Sequence, residues 1–271
     1  MTGFLLIGLT MKKFEAIDLD LNNHIATITL NRPDAANGLN LQMASELADA
    51  ARLIEKDSSL KVAVLTGAGK FFCAGGDVKS MYDAHENPGA AVRLIADQLH
   101  AALAIFSNME IPLICAVNGT AAGAGFSMAV SADMVIASES AKFTMAYSNI
   151  GLSPDGSASY YLPRLIGLRK TQELMFTNTV LSAQQAKEWG LVNQVVSGEE
   201  FASAIESLTT TFINGSRSSN AAIKHLLTSG DKNSLEEQMA LEARTIELCA
   251  NAADGREGVN SFIEKRRPVF K

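Results

Sequence analysis

Through the first two-thirds of this chain, short apolar runs rich in β-branched residues alternate with longer stretches of helical periodicity, a pattern that narrows the fold more than any other feature. Residues 24–30 (HIATITL), 62–66, 112–117 (PLICAV) and 133–137 (DMVIA) read as strands. Between the first two, residues 41–56 carry Leu47, Ala48, Ala51 and Ile54 at helical spacing. The class is therefore α/β, with repeated strand-and-helix units covering a sheet. Beyond Val196 the strand signals vanish, and three helical stretches follow near residues 199–212, 234–249 and 255–265. The expected organisation is an N-terminal extension over residues 1–12, a core over 13–197 and a C-terminal helical domain over 198–271. A unit of roughly 70 residues is a marginal core by itself, so it is expected to pack on the main body or on a neighbouring subunit. Ser182 with Gln185 reads as a capping box that opens a helix ending at Gly190.

Bulk properties exclude several roles. With 271 residues, 47% of them hydrophobic and 19% charged, the chain can bury a large core. A net charge of -6 disfavours nucleic acid as a partner, because phosphate binding needs a concentrated basic surface and only Lys265, Arg266 and Arg267 are locally basic. The apolar run at residues 4–9 has no basic residue before it and is far shorter than a membrane span, so neither a signal peptide nor an anchor is expected. Met11 offers a second start, which would make residues 1–10 an upstream extension. Cys73, Cys115 and Cys249 are odd in number and lack ligand spacing, as reduced thiols of a cytoplasmic protein would be. His24, His85 and His225 are scattered, and no metal site is expected.

Two segments break the pattern: GAGKFFCAGGD at residues 67–77 and NGTAAGAGFSMA at residues 118–129, each following a strand. Neither is a phosphate loop, since Gly69 and Lys70 are followed by Phe71 where Ser or Thr is needed, and a dinucleotide fingerprint fails on spacing. Glycine and alanine instead let bare backbone approach a ligand. The second segment runs into an apolar stretch that reads as helical, which would put its N–H groups at the positive end of a helix dipole. Two such donors converging on one oxygen would stabilise an oxyanion, whereas tight helix–sheet packing explains either segment alone. The sequence GFSMA imitates a nucleophile elbow but ends in Ala129, and no histidine and acid pair with Ser127.

Taken together and in order, LNRPDAANGLN (residues 30–40), LTGAGKFFCAGGD, PLICAVNGTAAGAG, SADMVIASESAKF (131–143), the stretch 151–167 and AKEWGLV (186–192) resemble the crotonase (enoyl-CoA hydratase/isomerase) superfamily. The likeness runs from about Phe14 to the C-terminus. It implies a spiral of ββα units with a C-terminal helical domain, assembled as a homotrimer or dimer of trimers. It also implies a coenzyme A thioester as substrate, with no separate cofactor. The oxyanion-hole donors would be the N–H groups of Gly76 and Ala124. Gly76, Asp77, Val78 and Lys79 would border the thioester and pantetheine, Ala35 would help hold the coenzyme A portion, and Phe262 or Lys265 would be lent by a neighbouring subunit.

Members of that superfamily that hydrate enoyl thioesters use two glutamates, and those positions fall on Ser127 and Tyr147, neither of them an effective base near neutral pH. The one acid in the segment is Asp155. It reads as a cap for a helix beginning near Ser157. It also reads as the acid/base, because MAYSNIGLSPDG (residues 145–156) is similar to members that shift a double bond with an aspartate here. One carboxylate suffices for that shift, taking a proton from one carbon and returning it to another while the thioester oxygen holds the charge. Phe143, Met145, Tyr147 and Leu152 are expected to give Asp155 an apolar surround. His100, with Tyr147 and Asp155, also lines up with the histidine, tryptophan and aspartate of members that dehalogenate an aryl-CoA ester. The competing reading of His100 is a half-buried histidine beside the stripe Val92, Ile95, Leu99, Leu103, Phe106. The leading expectation is a double-bond isomerase; a hydratase, a dehalogenase and a non-catalytic thioester-binding protein are the alternatives.

Overall fold

In the computed structural model, which describes residues 14–271, the first strand pair closes on a two-residue turn. The residue run 4–9 and the expected extension over 1–12 lie outside the described residues. Strands β1 (Ile17–Asn22) and β2 (Ile25–Leu30) are antiparallel, and Asn23 and His24 between them have φ of 52° and 67°, the left-handed pair such a turn requires. Helix α1 (Leu41–Lys56) follows, capped by the Asn40 side chain, and then β3 (Val62–Gly67) and β4 (Phe71–Cys73). Helices α2 (Val78–Asp83) and α3 (Pro88–Asn108) lead to β5 (Leu113–Val117), β6 (Thr120–Ala122) and α4 (Ala124–Val130). Next come β7 (Met134–Ser138), β8 (Lys142–Thr144), α5 (Ala158–Thr177), β9 (Leu181–Ser182), α6 (Ala183–Glu188) and β10 (Gln194–Val196). The C-terminal part holds α7 (Phe201–Ile213), α8 (Arg217–Gly230), α9 (Leu235–Asn251) and α10 (Ala253–Ile263).

Two sheets result. One has the order β1-β2-β3-β5-β7-β10, parallel from β2 onward, and the other has the order β4-β6-β8-β9. After each of β3, β5 and β7 the chain steps into the second sheet through β4, β6 and β8, which is the repeating ββα arrangement that the resemblance implied. The short strands of the second sheet went unforeseen, because two or three residues carry no measurable period.

Alternation along β3 splits the core. Ala63 and Leu65 face α1 and α3 with Met43, Leu47, Ile54, Leu99 and Phe106, whereas Val62 and Val64 join Ile114, Ala116 and Ile136 under Phe201, Ile205 and Leu208 of α7. Each fully buried leucine or isoleucine in these layers contributes about 1.5–3 kcal/mol. Helix α3 is long and apolar enough by composition to cross a membrane, but its stripe of Ile95, Leu99, Leu103 and Phe106 is packed into the core. Buried Glu46 accepts the N–H groups of Glu15, Ala16 and Ile17 and so pins the start of β1 to α1.

Helix α6 opens on the expected Ser182/Gln185 capping box and closes ahead of Gly190, whose φ is 85°. Helix α8 was absent from the expected set of three C-terminal stretches. It is held by Lys224, whose Nζ donates to the Phe106 carbonyl and the Asp133 carboxylate, both at 2.6 Å. Burial lowers the Lys224 pKa, and Asp133 opposes that shift. Helix α9 buries no residue at all, leaving Ile246 and Leu248 about 70% exposed.

Candidate active site

The two glycine-rich loops meet. Gly75 has φ 106° and Gly123 φ 50°; a Cβ on Gly75 would lie 3.2 Å from the Ala122 carbonyl oxygen, and one on Gly123 3.4 Å from the Gly75 Cα. Only glycine permits both the dihedrals and the approach. A bridge to Leu39 then orients the next peptide: Leu39 N–H donates to the Gly75 carbonyl (2.7 Å) and Asp77 N–H to the Leu39 carbonyl (2.9 Å). Since successive backbone groups alternate in direction, the N–H of Gly76 points away from Leu39. Ala124 opens α4, where the first N–H groups of a helix have no partner within it. Among the described residues, neither Gly76 nor Ala124 N–H donates to a backbone acceptor.

The rim is braced by residues around positions 32–38. Arg32 holds Asp77 at 2.8 Å and also reaches the Gly38 carbonyl. Burial alone would raise the Asp77 carboxyl, but its hydrogen bonds from Arg32 and the Ser80 N–H hold it below the ordinary value. Asp77 therefore caps α2 as a charged brace, while Val78 is exposed and Lys79 pairs outward with Asp83. Ala35 ends the exposed 3-10 turn Pro33–Ala35. Fully buried Asn37, φ 53°, accepts the Arg32 N–H and donates to the Ala68 and Phe71 carbonyls. Asn37 was not singled out from the sequence, although Asn-Gly at 37–38 is a turn signal. Met81 was missed too: a Cβ on Gly76 would fall 2.4 Å from its Cε, so its methyl covers that residue. Cys73, next to the loop, is an inert thiol, pushed up to about 12 by burial.

A polar cluster stands beside this pair of donors. The Tyr147 hydroxyl donates to Asp155 Oδ1 at 2.6 Å. Ser127 Oγ, on fully buried α4, donates to the Asp155 carbonyl at 2.9 Å and lies 3.2 Å from the Tyr147 hydroxyl. His100 Nε2, on α3, accepts the Gly156 N–H at 3.1 Å and is 3.7 Å from Asp155 Oδ2. Burial, reinforced by the Asp155 carboxylate, raises the Tyr147 phenol well above the ordinary tyrosine range, so it stays protonated and donates. The Tyr147 ring adjoins the start of α4, with Cζ 3.8 Å from a Cβ placed on Gly123. Tyr147 thus spans from the acid to the residue before Ala124.

Two expectations change here. Asp155 does not cap a helix: α5 begins at Ala158 behind Ser157, whose φ is 67°, with no side-chain cap. Its surround is also not apolar, because Phe143 and Met145 are withdrawn into the core and the groups meeting the carboxylate are Tyr147 and His100. His100 is half exposed and lies beside buried Leu99 and Leu103, yet it faces Asp155. A cleft of about 1120 Å³ starts at His100 and Ser157 and runs past Tyr161 and Arg164 toward α8 and α9, without reaching Gly76 or Ala124. Phe262, 82% exposed, and Lys265 stand at the end of α10 and form no hydrogen bond to the cluster. Among the described residues, no group of three or more His, Cys, Asp or Glu is arranged to hold a metal ion. The arrangement can hold a negative oxygen on two backbone donors and move one proton with one carboxylate.

Comparison with known proteins points to one family of enzymes. The family description "Enoyl-CoA hydratase/isomerase" matches residues 20–271. The chain is 37% identical to the 1,2-epoxyphenylacetyl-CoA isomerase of Escherichia coli over 91% of its length and 94% of that protein's. It is 32% identical to the trans-2-decenoyl-(acyl-carrier-protein) isomerase of Streptococcus mutans, covering 95% and 98% of the two chains. Among solved structures, an enoyl-CoA hydratase from Bacillus anthracis superposes with a TM-score of 0.89 at 31% identity, covering 95% of this chain and 99% of that one.

Proposed function

We propose, for a chain that belongs to the enoyl-CoA hydratase/isomerase family and so processes acyl-CoA thioesters, that the reaction is a double-bond shift in an enoyl-CoA with Asp155 as the acid/base. Oδ2 of Asp155 takes a proton from a carbon next to the double bond, and the electron pair moves into the thioester oxygen. The N–H groups of Gly76 and Ala124 hold that oxygen; each such donor supplies about 2.7–4 kcal/mol of transition-state stabilisation. The enolate then collapses, the double bond re-forms one position along, and Oδ2 returns the proton to the far carbon. No cofactor is needed beyond the coenzyme A of the substrate.

The observation that carries this reading is the single carboxylate, held by Tyr147 at Oδ1, with Ser127 and Tyr147 standing where a two-glutamate hydratase needs acids. Two relatives named as isomerases lend support. Dehalogenation would use Asp155 as nucleophile and His100 to activate water, and the 3.7 Å separation favours it; against it, the Nε2 lone pair is taken by the Gly156 N–H. Asp77, Val78, Lys79 and Ala35 are assigned to the coenzyme A side. The apolar side chains on α9 and α10, including Phe262, suit a homotrimer or dimer of trimers in the cytoplasm, with Phe262 or Lys265 reaching a neighbour's site.

The test is Asp155→Asn assayed on 3-hexenoyl-CoA in deuterated water. Turnover and isotope entry should fall about 100- to 10,000-fold with thioester affinity retained. Undiminished turnover would sink the reading. A parent protein that binds the thioester but neither isomerises it nor admits isotope would instead be a non-catalytic binder.

A further inference from the structure

Asp155 sits on a stretch with no ladder of its own. Between the 3-10 turn Tyr147–Ile150 and α5 the chain is irregular, and Gly151, Gly156 and Ser157 have φ of 73°, 61° and 67°. A carboxylate on such a segment would ordinarily sample several positions. Here side chains from three separate elements take hold of it. The Asp155 carbonyl accepts Ser127 Oγ–H from α4, and the N–H of the peptide that follows, on Gly156, donates to His100 Nε2 from α3. Tyr147 holds Oδ1 from the turn. The Gly156 corner is pressed against Ser127, since a Cβ there would lie 2.8 Å from the Ser127 Cβ.

That leaves Oδ2. Among the described residues no donor satisfies it, and His100 Nε2 lies 3.7 Å away. That nitrogen presents a lone pair to the Gly156 N–H, so it bears no proton to give Oδ2 in this arrangement.

Resting on the acid/base reading of Asp155, we infer that His100 and Ser127 are positioning residues that clamp the Asp155–Gly156 peptide from opposite sides. With Tyr147 they leave Oδ2 as the single oxygen that carries the substrate proton out and back. Ser127, at a position where a hydratase has a glutamate, is in this protein a prop for the remaining acid. His100 acts through Gly156 and not through water.

The experiment compares His100→Leu, which removes the acceptor, His100→Gln, which keeps one at similar reach, and Ser127→Ala, all on 3-hexenoyl-CoA with Asp155→Asn alongside. His100→Leu and Ser127→Ala should each lower kcat about three- to tenfold, the worth of one neutral hydrogen bond, with KM within about twofold, and His100→Gln should stay within about twofold of the parent. Parent-like kcat in both His100→Leu and Ser127→Ala, with Asp155→Asn inactive, would overturn the clamp and leave the acid/base reading standing. His100→Gln as slow as His100→Leu would also overturn it, since the imidazole itself would then be moving a proton. An active Asp155→Asn, or a parent without turnover, would remove the acid/base reading and the clamp together. Half-exposed His100 and the smaller side chain of Ser127→Ala make folded variants the expectation, checked by thermal unfolding.

Discussion

Replacing Tyr147 with Phe removes one atom, the hydroxyl that donates to Asp155 Oδ1 at 2.6 Å. The ring that abuts the start of α4 remains, so little packing is lost. A hydrogen bond to a charged group contributes about 1.5–3 kcal/mol, and the upper half of that range applies only where water cannot substitute. The Asp155 side chain is 30% exposed, so a water can replace part of the lost bond, and about 1–1.5 kcal/mol is the reasoned loss. In rate terms this is a fall of about tenfold in kcat. The assay is steady-state conversion of 3-hexenoyl-CoA, followed by the absorbance of the conjugated thioester, with thermal unfolding measured in parallel and expected to shift little. Unchanged kcat would mean that the 2.6 Å contact does not hold the acid in place. A fall beyond about a thousandfold would mean that the phenol itself transfers the proton, a loss in the range of general acid–base catalysis.

Three further outcomes follow from the same geometry. Tyr147 is neutral in the fold and its phenol is raised above the ordinary tyrosine value of 10.0, so its contribution is complete below that pH and is lost as pH rises further; Tyr147→Phe should flatten the alkaline limb of stability against pH. Arg32→Met should destabilise by about 1–2 kcal/mol in denaturant titrations, between the values for exposed and buried ion pairs. Because the Asp77 pKa is depressed in the fold, its stabilisation exists above the unfolded value of 3.8 and fades as pH falls through the folded one, so the same variant should have a shallower acid limb. Gly75→Ala, at φ 106° and 3.2 Å from the Ala122 carbonyl, should cost about 1–3 kcal/mol in chemical denaturation, whereas Gly76→Ala meets only the mobile end of Met81 and should cost about 0.5 kcal/mol or less.

What could be read from the residues alone depended on whether the signal was local. Helix α1 was legible to both ends because its apolar stripe and Asn40 cap lie within one segment, and β2, β3, β5 and β7 of the larger sheet declared themselves, whereas β1 and the three-residue β10 did not. Helix α8 was not, because what holds it is a buried amine whose partners, Phe106 and Asp133, are remote in the chain. Asp155 was visible as the one acid in its segment, but SPDG is equally a turn and a helix start. Only the approach of Tyr147, Ser127 and His100 from three elements decides between those uses, and no spacing rule encodes it. The apolar surround expected from Phe143 and Met145 failed for a related reason, since proximity in sequence does not say which way a side chain turns.

Because both donors of the oxyanion pair are main-chain N–H groups, ordinary scanning mutagenesis is blind to them: any side chain placed at residue 76 or 124 leaves the amide intact. Proline alone deletes such a donor. Ala124 is the first residue of its helix, where a missing N–H and a fixed φ are tolerated. Gly123 before it, at φ 50° and ψ -122°, is in the mirror image of the extended conformation that a residue preceding proline prefers. Ala124→Pro is thus a route by which a coding change can silence half of the hole while the helix behind it stays folded.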